Sequence, residues 1–130
     1  MSDYIPVYTP GEAIGVTTSA AVTGGQLVAV SGNGTVAPAG ASSAAVIGVA
    51  AHDAASGARL TVWARGTVHE STASGAITAG AQLASGAAGT VAALAAASGA
   101  VAADINNARA VIGVALTTAA DTAKVRWMAW

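Results

Sequence analysis

Leu60, Val62 and Ala64 alternate with Thr61, Trp63 and Arg65, a period of two that predicts a β-strand with one buried face. Val125, Trp127 and Ala129 alternate in the same way with Lys124, Arg126, Met128 and Trp130, so both segments place their charges on one outward face. Shorter apolar runs at Leu27 to Val30, Val46 to Ala50 and Val111 to Leu116 predict further strands. They are bounded by the turn signals Gly24-Gly25, Ser31-Gly32-Asn33-Gly34 and Ser56-Gly57. Several short strands at regular spacing predict a mostly β fold, a small barrel or sandwich.

The pattern occurs twice. Val46-Ile47-Gly48-Val49-Ala50 returns as Val111-Ile112-Gly113-Val114-Ala115, 65 residues later, and Ala58 to Val62 falls on Ala123 to Trp127 at the same offset. Val22-Thr23-Gly24-Gly25 faces Ile77-Thr78-Ala79-Gly80, and Gly34-Thr35-Val36 faces Gly89-Thr90-Val91, both at an offset of 55. The two units are therefore expected at about residues 20–70 and 75–130 of a single β domain, 17–130. The second carries a ten-residue insertion between Val91 and Val111, a loop or a short helix. Gly48 and Gly113 interrupt apolar strands, where glycine usually marks a bulge, a bend or a close backbone approach.

Composition limits what such a domain can do alone. Leu, Ile and Val total 26 of 130 residues and Phe is absent, so the 54% hydrophobic content is largely alanine. A core of Ala and Val removes little apolar area at roughly 25 cal/mol per Å², which favours assembly. Charged residues are 8% and the net charge is −1, without the cluster of Lys and Arg that nucleic-acid binding needs. The chain has no cysteine, hence no disulfide framework or thiolate metal site. No export signal is expected from the first residues, and the alanine run Thr90 to Ala103 is too short and interrupted to span a membrane.

Candidate chemistry is sparse. His52-Asp53 and His69-Glu70 are the His-carboxylate pairs, each placed after a predicted strand. Adjacent residues of an extended chain point to opposite faces, so they are expected to be solvated turn residues rather than a metal or acid/base site. There is no nucleophile elbow and no phosphate loop. The expectation is a non-enzyme without a cofactor.

Binding is expected at two other places. Residues 1–16 precede the first unit and are bulky, with Tyr4, Ile5, Val7, Tyr8 and Ile14, while Pro6 and Pro10 hold the segment extended. As an arm, fourteen extended residues reach roughly 45 Å. Trp63, Met128 and Trp130 fall on the outward face of the two matching strands and are expected at a subunit interface.

The segment from Ala44 to Glu70, with a small-apolar strand ending in Ala50-Ala51, an acidic turn, an alternating strand and Gly66-Thr67, resembles the head decoration proteins of tailed bacteriophages, the lambda decoration and capsid-cement families. The Gly25 to Val28 block and the Val111 to Leu116 segment fit related cement families. The resemblance implies a β-tulip-like homotrimer on the outer capsid surface. Its partner would be the major capsid protein, gripped by the arm Tyr4, Ile5, Pro6, Val7 and Tyr8. Such a protein is made in the host cytoplasm and carried in the virion, where it stabilises the capsid as an oligomeric clamp. The alternative function is a carbohydrate-binding or adhesive surface module using Trp63 and Trp130.

Overall fold

A computed structural model of the chain describes residues 12–94, 101, 102, 105 and 109–130. Ten strands are found among them: β1 (Ala13–Thr18), β2 (Leu27–Gly32), β3 (Thr35–Pro38), β4 (Val46–Ala50), β5 (Arg59–Trp63), β6 (Val68–Thr72), β7 (Gln82–Ser85), β8 (Val91–Ala93), β9 (Gly113–Ala115) and β10 (Lys124–Ala129). The first five close into a barrel in the order β1-β3-β2-β4-β5, and the last five form a sheet in the order β6-β10-β9-β7-β8. The alternation read in the sequence is the burial pattern of β10: Val125, Trp127 and Ala129 are buried and the residues between them exposed.

The two sheets share one strand order and, along the pairs β1–β5 and β6–β10, one register. Val16 pairs with Leu60 and Ile14 with Val62 in the first, and Ser71 with Val125 and His69 with Trp127 at the equivalent positions of the second. The parallel pair Thr18 and Val36 that closes the first barrel recurs as the single parallel bridge between Ala73 and Val91. The second sheet thus curls back on itself into a barrel held at its seam by one bridge. The mostly β fold of two related units is what the structure has, with each unit closing on itself. Strands β1 and β6 belong to the units, so Ala13 to Val16 lie in the first barrel, while residues 1–11 lie outside the described residues. Of the insertion, Ala102, Ile105 and Arg109 are helical.

Close backbone approach explains the mid-strand glycines. A Cβ on Gly48 would run into the carbonyl of Trp63, and one on Gly113 into the carbonyl of Met128, the equivalent atom of the other barrel. A register shift leaves Ile47 as the extra residue of a bulge against β2 beside Gly48.

Two cores result, and they are unequal. The first barrel encloses Val22, Val28, Val36, Ala50, Leu60 and Val62. The second core contains that barrel's own Ile77, Leu83, Val91, Val125 and Trp127, together with Leu27, Ala39 and Val49 of the first barrel. Leu27 and Val28 are adjacent, point to opposite faces and are both fully buried, because β2 has its own barrel on one side and the second barrel on the other. Burying side chains of this size stabilises by about 1.5–3 kcal/mol each.

Gly113→Ala is expected to cost about 1–3 kcal/mol in denaturant unfolding, the range of an overpacked core. Gly40→Ala, whose Cβ would meet nothing within 4 Å, is expected to unfold at the midpoint of the parent chain.

Candidate functional site

For His52 and Asp53 the repeated register shows the task, because their counterparts in the other barrel perform it with different chemistry. His52 Nε2 accepts the Thr61 N–H at 3.2 Å, and Thr117 Oγ1 accepts the Arg126 N–H at 3.0 Å. Asp53 Oδ1 accepts the Gly24 N–H at 2.7 Å, as Thr118 Oγ1 accepts the Ala79 N–H at 3.0 Å. The residues in each pair of bonds are repeat equivalents. With Nε2 accepting, His52 Nδ1 carries the proton and donates to the Asp53 carbonyl at 2.8 Å. His52-Asp53 is thus a turn that satisfies backbone N–H groups, a task two threonines perform in the second barrel.

His69-Glu70 departs from the expected solvated turn. Both residues are in β6, where strand parity buries His69 and exposes Glu70. Glu70 pairs with Arg126 Nη2 at 2.7 Å on the surface, an exposed ion pair that contributes little. The His69 ring lies 5.5 Å from that of Trp127 at 46°, and its Nε2 is buried without a hydrogen-bond partner. Beside it, Trp127 Nε1–H donates to Ser71 Oγ at 3.0 Å. Burial pushes the His69 pKa down. The equivalent residues of the first barrel, Ile14 and Val16, are apolar. Among the described residues no group of three or more His, Cys, Asp or Glu side chains is placed to hold a metal ion, and no helix is long and apolar enough to cross a membrane.

What the molecule does present is apolar surface. Trp63, Met128 and Trp130 are 43%, 41% and 47% exposed, on the outward face where the alternation puts them. Val68, 51% exposed, is the register partner of Met128, and Val114 is its partner on the other side. This forms a row of three apolar side chains across β6, β10 and β9. Val30 and Leu116 add further exposed apolar side chains. Sequence reasoning missed Val68 and Val30, although placing Met128 over Trp63 by the repeat offset points to that row. Tyr4, Ile5, Pro6, Val7 and Tyr8 lie outside the described residues.

This small, duplicated β scaffold with a charge-poor sequence matches the phage cement protein family over residues 8–128. The chain belongs to the phage cement protein family. As a cement protein it is a structural, capsid-associated component of a phage head. The family matched is the cement family, and the match does not name the lambda decoration protein. The fold is similar to the crystal structure of the head fiber gp8.5 N base of bacteriophage phi29, with a TM-score of 0.65 and 18% identity over 92% of this chain and 93% of that one. No curated protein matches the cement protein's sequence.

Two predictions follow from the equivalences. His52→Thr is expected to leave unfolding stability unchanged, whereas His52→Ala costs about 1 kcal/mol for the stranded N–H. The second concerns acid. The folded chain resists protonating His69, so stability is complete above the ordinary histidine value of 6.5 and falls as pH drops below it toward the lower folded value. Denaturant midpoints at about pH 7.5 and about pH 5 should therefore differ less in His69→Ile, which copies Ile14, than in the parent chain.

Proposed function

We propose that this protein binds the outer surface of a phage capsid and stabilises it as a homotrimeric clamp. The observation that carries the proposal is the cement-family match, which spans both barrels and part of the N-terminal segment. Three features support it. The surface is poor in charge and bears exposed Trp63, Met128 and Trp130, which suits burial against protein. The first barrel's core is small, so assembly adds apolar burial that one chain lacks. The segment before β1 carries Tyr4, Ile5, Pro6, Val7 and Tyr8, and aromatic side chains on a proline-stiffened chain are effective anchors.

The major capsid protein is the partner, and the arm is the part that grips it. Mechanically, each subunit needs only a modest contact with the shell. Linking three such contacts in one oligomer raises the effective concentration of the second and third, so the clamp holds without stronger individual contacts. The scaffold itself does no chemistry in this account.

Co-sedimentation with expanded capsids tests the proposal. Deleting residues 2–11, which leaves β1 intact, is expected to give a folded protein that no longer pellets with capsids, while the full chain does. Equal pelleting of both would remove the arm from the account, and failure of the full chain to pellet would remove capsid binding itself.

A further inference from the structure

The contact that joins the two barrels uses different surfaces on each. The first barrel contributes the turn before β2 and the segment after β3. Gln26 Nε2 donates to the Ala88 carbonyl at 3.0 Å, the Ala39 carbonyl accepts the Gly89 N–H at 2.8 Å, and Ser71 Oγ reaches the Gly25 carbonyl at 3.5 Å. The second barrel contributes its seam at Ser71 and the β7–β8 hairpin. In that hairpin Ser85 Oγ accepts from the Ser43 N–H at 2.9 Å and donates to the Gly40 carbonyl at 2.7 Å. Because the barrels are copies, each carries both surfaces, and the chain uses only one of each.

The two unused surfaces keep the turn glycines of the used ones, while Ala88 is left-handed at φ 53° where its counterpart Asn33 is not, and the ten-residue insertion falls after β8, where the first barrel has the segment after β3. On the second barrel, Gly80 repeats the left-handed turn of Gly25, with φ of 86° against 90°, and Gln82, Leu94 and Val114 stand where Leu27, Ala39 and Val49 stand on the first. On the first barrel, Gly34 repeats Gly89, both at φ 73°, Val16 stands for Ser71 and Val30 for Ser85. The difference is burial. Ser85 is 1% exposed and Val30 is 52%, and Leu27 is fully buried where Gln82 is exposed. Val30 is a large apolar side chain at a position whose counterpart is covered by protein.

We infer that copies of the chain join head to tail, the second barrel of one docking on the first barrel of the next through a repetition of the contact that joins the barrels within each chain. This rests on the oligomeric reading proposed above and specifies its surfaces. A contact between unlike surfaces forms a closed ring when its rotation divides a full turn, and three chains close a ring of six barrels. The position of the axis is visible within one chain: Ile47 and Ile112 are repeat equivalents, as are Arg65 and Trp130, and all four line one apolar pocket. Equivalent points meet only near a rotation axis, so the axis passes beside this pocket. Around it Arg65 and Trp130 alternate, which places an indole between successive guanidinium groups.

A disulfide test uses the chain's lack of cysteine. The contact of Gln26 with Ala88 corresponds, between chains, to Ala81 with Asn33. On oxidation the double variant Ala81→Cys, Asn33→Cys is expected to give non-reducing bands of two and three linked chains and none larger. The internal control Gln26→Cys, Ala88→Cys is expected to stay at the mass of one chain. Light scattering of the unmodified protein runs alongside, with a three-chain mass expected. If that mass is found and the Ala81/Asn33 variant never links chains, the docking surfaces are wrong. A one-chain mass overturns the oligomeric reading itself, and bands beyond three chains overturn the closed ring. As a second readout, Val30→Asp should dissociate the assembly with circular dichroism unchanged. Leu116→Asp, exposed to a similar degree but outside both surfaces, should not.

Discussion

Leu27, Ala39 and Val49 belong to the first barrel by chain and to the second barrel's core by packing, and the rest of the structure depends on this shared burial. A barrel of about fifty residues is near the lower limit of what a single core can stabilise. The first barrel, whose enclosed residues are mainly Val and Ala with one Leu, has no aromatic side chain to raise its margin. Packing one barrel's outer face into the other's core puts both sides of β2 to use. Where backbones approach as closely as β4 and β5 do at Gly48, or the β7–β8 hairpin and β2 at Gly89, even a Cβ has no room, and glycine stands at both positions.

Duplication also explains the task of the His52-Asp53 pair. Bonds that His52 and Asp53 make in one copy are made by Thr117 and Thr118 in the other, so those side chains hold loops in place. His69 is the exception in kind. It sits with Ser71 and Trp127 in the second barrel at positions that are apolar in the first. The family to which the chain belongs is one of structural phage proteins.

Much of this was legible in the sequence, for identifiable reasons. The β5 and β10 alternation was clear because one face of each strand meets a core and the other meets solvent. The offsets of 55 and 65 could be read because the turn glycines Gly25, Gly34, Gly80 and Gly89 adopt left-handed φ and a Cβ has no room at Gly48 or Gly113. Strands β1 and β6 escaped notice. Ile14-Gly15-Val16 and His69-Glu70-Ser71 share no residue, yet they hold the same register, since backbone pairing does not require matching side chains. His69 was misplaced for the same reason: without β6, its parity with Ser71 and its partner Trp127 could not be seen. The unequal use of the two docking faces was beyond sequence altogether, because it depends on which copy of a surface meets which.

The central claim is that this cement protein is a duplicated β scaffold whose internal contact is repeated between subunits to build a clamp on a capsid. A cryo-electron microscopy reconstruction of expanded capsids incubated with the protein tests it most directly. The account predicts added density on the outer surface in which three chains form a ring of six barrels with Trp130 and Arg65 around its axis. Capsids without added density, or density for isolated barrel pairs with no neighbour at Val30 or Gln82, would contradict it.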